Sequence, residues 1–503
     1  MRAALLALLL LPAGTADRID RRVAERWDAE GVRPAPLADD YEFLRRLSID
    51  LRGVLPEPAE IRAFAADRDA SKREKTVDAW LRSEEFAKHW SLRWAEDLTI
   101  HPGLVQKFRD VQEGFHGWLR DAIRSNMPYD RFARRLLTAK GPSDLDPASG
   151  FLVLGLVGGD EAAKDVAERA SRIFLGTQVR CAECHDHPFD DWTQQDFFAM
   201  VSFFWQSRQG GKRMMEGGGG LVGWIDDDPS RGDARFGDAK KATSVTPRYR
   251  SGGGVPAEGE PRRTAFARLL TADRQFARAA ANRHWGMLLG RGLVHPLDGF
   301  TSTRKPSHPE LLEELADELV RSRFDVRALL RSIVLSRPYQ LSSRSDAPER
   351  LFARAIVSPL PPDLLFDAIV RATLAEEKPY KPQKKTDPRG PRDEFLRAFR
   401  PSFLTNDAAP SGGSEATIAQ ALWLLNNEFA AGAVSARGGR LRRILAEESD
   451  PAKRIEELFL WTVSRPPTAR ESGAILGRLD GRDAAYEDVF WALLNSSEFV
   501  TRH

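Results

Sequence analysis

Cysteine is the scarcest informative residue here: two in 503 positions. At most one disulfide can form within the chain, so a disulfide-framed small fold is excluded. Charge excess is also missing. Lys and Arg number 75 against 73 Asp and Glu, a formal net charge of +2. No field is built for nucleic acid or for an anionic membrane surface. Beyond the N-terminal stretch, no segment approaches the roughly 18 uninterrupted apolar residues of a membrane span. No fixed internal period of the solenoid kind runs through the chain. There is no G-x-S-x-G elbow, no P-loop and no H-E-x-x-H, so the familiar hydrolase and nucleotide-binding signatures are absent.

What is present fits large globular domains. The chain is 42% hydrophobic and 29% charged, and its length suggests about two large units or three smaller ones. Twelve Trp favour aromatic cores, with a flat-ligand pocket as the functional alternative. Arg2, the apolar run Ala3 to Leu11 and the small residues Pro12 to Ala16 read as a secretory signal cut after Ala16. The mature chain is therefore expected to be periplasmic or secreted, with no integral membrane segment.

The apolar rhythm is helical. Tyr41, Phe43, Leu44, Leu47 and Leu51 recur every three to four residues, and Gly53 stops them. Phe86, Trp90, Trp94 and Leu98 form an i, i+4 stripe. Core packing is its plain explanation, and a haem-pocket wall its functional one. Thr193 with Asp196, Ser307 with Glu310, and Thr468 with Glu471 read as helix-start pairs. Residues 209–262 break the pattern with Gly210-Gly211, Gly217 to Gly220 and Gly252 to Gly254. They read as a loop-rich insert with room for a short edge strand at Thr243–Val245. Residues 376–412, rich in Lys, Pro and Gly, read as a mobile excursion. The expected architecture is mainly α: signal 1–16, helical domain 17–208, Gly-rich insert 209–262 and helical domain 263–503.

Both cysteines fall in one string, Cys181-Ala182-Glu183-Cys184-His185. C-x-x-C-H is the spacing that attaches c-type haem: two thiols add to the porphyrin vinyl groups and the adjacent His ligates iron. Export agrees with this, since haem c and lasting disulfides both belong outside the cytosol. A thioredoxin motif would need a preceding strand, whereas this string lies between two helices. Asp186, His187, Pro188, Phe189, Asp190, Asp191 and Trp192 follow directly. A second string, His295-Pro296-Leu297-Asp298-Gly299-Phe300, echoes His187-Pro188-Phe189-Asp190-Asp191-Trp192. The echo reads either as two loops meeting at one site or as two unrelated helix-connecting turns.

The first half resembles the planctomycete cytochrome-like domain of unknown function 1549. Phe43-Leu44-Arg45-Arg46, Gly53-Val54-Leu55-Pro56, Trp90 to Trp94, Pro128-Tyr129-Asp130 and Cys181 to Asp190 carry that likeness. The second half is similar to domain 1553 through Ala281-Asn282-Arg283, Trp285, Gly290 to Pro296, His308 to Leu312 and Trp491 to Ser496. The resemblance implies a cytochrome label resting on the same C-x-x-C-H, and no settled activity.

Three functions follow as expectations. The first is an exported carrier of covalent haem c on Cys181, Cys184 and His185. It would serve periplasmic electron transfer or redox chemistry with a redox partner protein or an exported enzyme, with polymer degradation as one setting. The second is a non-redox scaffold with a Cys181–Cys184 disulfide and a divalent metal ion held by His185, His187, Asp190 and His295. The third is a metal-dependent hydrolase using those same side chains.

Overall fold

The computed structural model describes residues 14–99, 108–156, 160–210, 213–214, 221–237, 242–250, 253–378, 390–404, 423, 425, 427–479 and 481–503. Of the expected signal, only Gly14 to Ala16 are among them, and Gly217 to Gly220 lie outside. The structure is 61% helical with few short strands, so the fold is mainly α. Among the described residues no helix is long and apolar enough to cross a membrane.

Chain order does not define the compact units. One unit comprises Met1–Ala35, Trp94–Leu341 and Asp346–Arg354; the other comprises Pro36–Arg93, Ser342–Ser345 and Ala355–His503. At the centre of the first lies the Arg274–Leu289 helix, buried from Ala279 through Leu289 and also at Phe276 and Ala277. A helix apolar on most faces must be surrounded. Arg283 within it is 3% exposed and pairs with Asp97 at 2.9 Å. Tyr129 stacks on Phe276 with centroids 5.1 Å apart and meets His284 edge-on at 5.6 Å. Trp94, from the aromatic stripe, joins this cluster against Phe132 at 5.4 Å. The stripe is core: Phe86, Trp90, Trp94 and Leu98 are all buried.

The described parts of the Gly-rich insert include short strands. Gly141–Pro142, Trp224–Asp227 and Ser207–Gln209 form a three-stranded antiparallel sheet. Ala234–Phe236 pairs with Thr243–Val245, the expected edge strand. Ile225 and Val222 are buried, and Asp227 receives two 3.0 Å bonds from the Arg263 guanidinium. The apolar residues scattered between the glycines anchor the segment, which a count of glycines cannot reveal.

In the second unit the Asp40–Arg52 helix is buried from Glu42 to Arg52. Its charges are satisfied internally: Arg46 meets Glu42 at 2.7 Å, and Arg502 clasps Asp50 with bonds of 2.6 and 2.7 Å. Arg45 donates to the carbonyls of Thr462, Glu498 and Phe499 at 2.9 to 3.0 Å. Burial lowers its pKa to about 10. Within the expected 376–412 excursion, the Pro391–Leu404 helix buries Phe395 and Phe399 in this unit's core. The i, i+4 aromatic pair outweighs the surrounding Lys, Pro and Gly.

Candidate functional site

The C-x-x-C-H string occupies a short 3-10 turn, Arg180–Glu183, and the residues just after it. The preceding helix ends where Gly176 takes a left-handed conformation at φ 66°. A β-carbon there would sit 2.6 Å from the Phe300 ring, so only glycine fits. Arg180 fastens the turn through Asp165 at 2.6 Å and Glu183 at 2.6 Å; Lys164 adds a 2.9 Å bond to Glu183. Gln194, at the start of the Gln194–Val201 helix, closes the far side by donating to the Glu183 carbonyl and the Asp186 carboxylate. The Thr193–Asp196 capping box forms as the sequence predicts. At the later helix, by contrast, His308 rather than Ser307 takes the capping position, and no side chain caps it.

Cys181 and Cys184 are free and exposed, and His185 is exposed beside them. The His185 Nδ1 lies 2.7 Å from the Asp186 carbonyl. A carbonyl oxygen only accepts, so Nδ1 donates this bond and Nε2 is left outside it. That is the arrangement of an imidazole ready to ligate through Nε2. Phe189 is 76% exposed, which leaves an uncovered aromatic face on the same loop. Trp192 is buried, with the Arg250 guanidinium 4.6 Å above its ring.

His187 is differently engaged. Its Nδ1 accepts from the Phe189 amide at 3.2 Å, and its own amide donates to the Trp192 carbonyl. The imidazole therefore serves the turn. Asp190 Oδ1 accepts from the Asp191 amide and from the Ser302 amide at 3.0 Å. His295 is half-buried, with an Nδ1 that is buried and unpartnered. Burial, then the Arg291 and Arg304 guanidinium groups, lower its pKa. Among the described residues no group of three or more His, Cys, Asp or Glu side chains is arranged to hold a metal. His185, His187, Asp190 and His295 are all described, and they are not gathered into one such set.

The end of the second string and the residues after it reach both sides of the C-x-x-C-H segment. Thr177 and Gly299 pair in an antiparallel bridge, the Phe300 amide donates to the Gly176 carbonyl, and Ser302 reaches Asp190. The 299–302 segment thus holds both flanks of the C-x-x-C-H string. Below it, Arg172 binds Asp298 at 2.7 Å, a carboxylate 1% exposed. Sequence reasoning missed Arg172, and it missed Glu168, which accepts from the Val179 amide at 3.0 Å. Burial raises the Glu168 carboxyl to about 7, against the lowering effect of that bond and of Arg172 and Arg180. A carboxylate one helical turn before Arg172 was the available signal.

Comparison with known proteins adds family membership and nothing on activity. Residues 18–209 match PSCyt2, described as a protein of unknown function (DUF1549). Residues 262–478 match PSD1, described as a protein of unknown function (DUF1553). No curated protein and no solved structure matches the chain.

Proposed function

We propose that this chain, which belongs to the family joining a PSCyt2 (DUF1549) domain to a PSD1 (DUF1553) domain, carries a covalently attached c-type haem outside the cytosol. The single observation behind this reading is the state of His185. Its Nδ1 is engaged by a carbonyl while its Nε2 is left to ligate, immediately beside two exposed thiols. Cys181 and Cys184 would hold the porphyrin by thioether bonds, and His185 would supply the axial nitrogen. The group would provide one-electron transfer. The protein's own contribution is positional. Arg180 and Lys164 brace the turn, Asp186 orients the imidazole, and the exposed Phe189 offers apolar surface for the ring to cover. The natural partner would be an exported redox protein or enzyme, with polymer breakdown as one setting.

The test is spectroscopic. The full chain, made together with haem-maturation machinery, should show a c-type band in denaturing, reducing pyridine. Cys181→Ala with Cys184→Ala should abolish covalent attachment. His185→Ala should leave the protein foldable with altered axial ligation. A wild-type protein without the band removes the haem reading, and thiol counting with and without reductant then distinguishes a disulfide from free thiols.

A further inference from the structure

A cleft in the first unit carries a different chemistry. It has a volume of about 220 Å³, and its lining includes Arg26, Arg291, Arg304, Lys305, Arg350 and His295. One carboxylate offsets part of this charge: Glu30 lies 2.8 Å from Arg26 and 2.5 Å from Arg350. Arg304 donates to the His295 carbonyl at 2.9 Å, a neutral partner. Arg291 and Lys305 have no carboxylate partner among the described residues. Clustered like charges repel, and an anion in their midst relieves that cost.

The backbone of the 291–305 loop is pinned to its neighbours. Asn282, fully buried on the central helix, both donates to the Val294 carbonyl at 2.9 Å and accepts from the Val294 amide at 2.8 Å. The Ser307 amide donates to the Leu293 carbonyl at 2.8 Å. The loop backbone carrying Arg291 and His295 is therefore held by bonds of its own, so binding need order only side chains. Its cations converge from three separate segments: the Thr15–Glu30 helix, the 291–305 loop and the Glu349–Leu351 turn.

We propose that this cleft binds a tetrahedral oxyanion, the phosphate or sulfate group of a small ligand. A planar carboxylate is satisfied by one bidentate guanidinium, whereas cations arriving from several directions match oxygens directed to several corners. The volume exceeds that of a bare anion, with room for about seven water-sized groups. An oxyanion carried on a small body fits. The inference does not depend on haem, because no thiol takes part.

Calorimetric titration of the full-length protein with inorganic phosphate and with inorganic sulfate, at constant ionic strength balanced by chloride, tests it. At least one anion should bind one-to-one with a Kd below about 1 mM. The double variant Arg291→Gln/Lys305→Gln should weaken binding about tenfold or more, and Arg109→Gln, an exposed residue paired with Glu113, should not. Preference for phosphate or for sulfate identifies which ester the ligand carries, and equal binding supports the oxyanion site itself. No saturation by about 10 mM, or unchanged affinity in the double variant, overturns the proposal. Tighter binding of citrate than of either anion overturns the tetrahedral assignment. If circular dichroism shows the double variant unfolded, Lys305→Gln alone, an exposed change, should still weaken binding about threefold.

Discussion

Glu168 shows at the residue scale how burial changes chemistry beside the motif. Its folded pKa is about 7, against an ordinary value near 4.5. Between those values the folded chain retains a proton that the unfolded chain has released. Stability therefore falls as pH rises from 4.5 to 7 and stays at the lower level above. Glu168→Gln keeps an oxygen to accept from Val179 and removes the charge. It should stabilise the protein by about 2 kcal/mol at pH 8 and change little at pH 5. Urea midpoints at the two pH values measure this, and an equal shift at both would contradict it. The motif residues beside Glu168 were legible because C-x-x-C-H is a spacing, which sequence states directly. The roles of His187 and His295 were not. The first depends on the His187 Nδ1 meeting the Phe189 amide inside a turn, and the second on a buried, unpartnered Nδ1 set among the guanidinium groups of its own loop.

At the scale of single elements, burial separates charges that matter from charges that do not. The Asp40–Arg52 helix places the buried Arg45 against the backbone carbonyls of Thr462, Glu498 and Phe499. Arg45→Met leaves those acceptors buried and unpaired, and should cost about 3 kcal/mol. Arg62→Ala removes an ion pair to Glu456 and Glu457 whose side chains are partly solvent-exposed; its cost should stay below about 1 kcal/mol. Chemical denaturation of the two variants gives the comparison, and similar losses would refute the distinction. Helix starts at Thr193 and Thr468 were readable, since a hydroxyl and a carboxylate three positions apart carry their geometry with them. The start at His308 was misread by one position. The Pro391–Leu404 helix was hidden by its neighbours' composition, because the aromatic pair that decides it needs a core built from distant segments.

For the whole molecule, the helical class was legible from periodicity, while the partition into units was not, since each unit gathers stretches far apart in sequence. One consequence concerns the boundary between the two family segments. Residues 18–209 and 262–478 are separate matches. Yet within the first unit they are stitched together by Thr177 to Gly299, Asp190 to Ser302, Arg172 to Asp298 and Arg283 to Asp97. A protease site placed in the Gly217 to Gly220 run should therefore cut the chain without parting it. The two pieces should co-elute in native buffer and separate in urea; separation in native buffer would disprove the interlock. Covalent continuity across the insert is then a convenience of synthesis, and within the first unit the two matched segments behave as complementary fragments rather than as beads on a string.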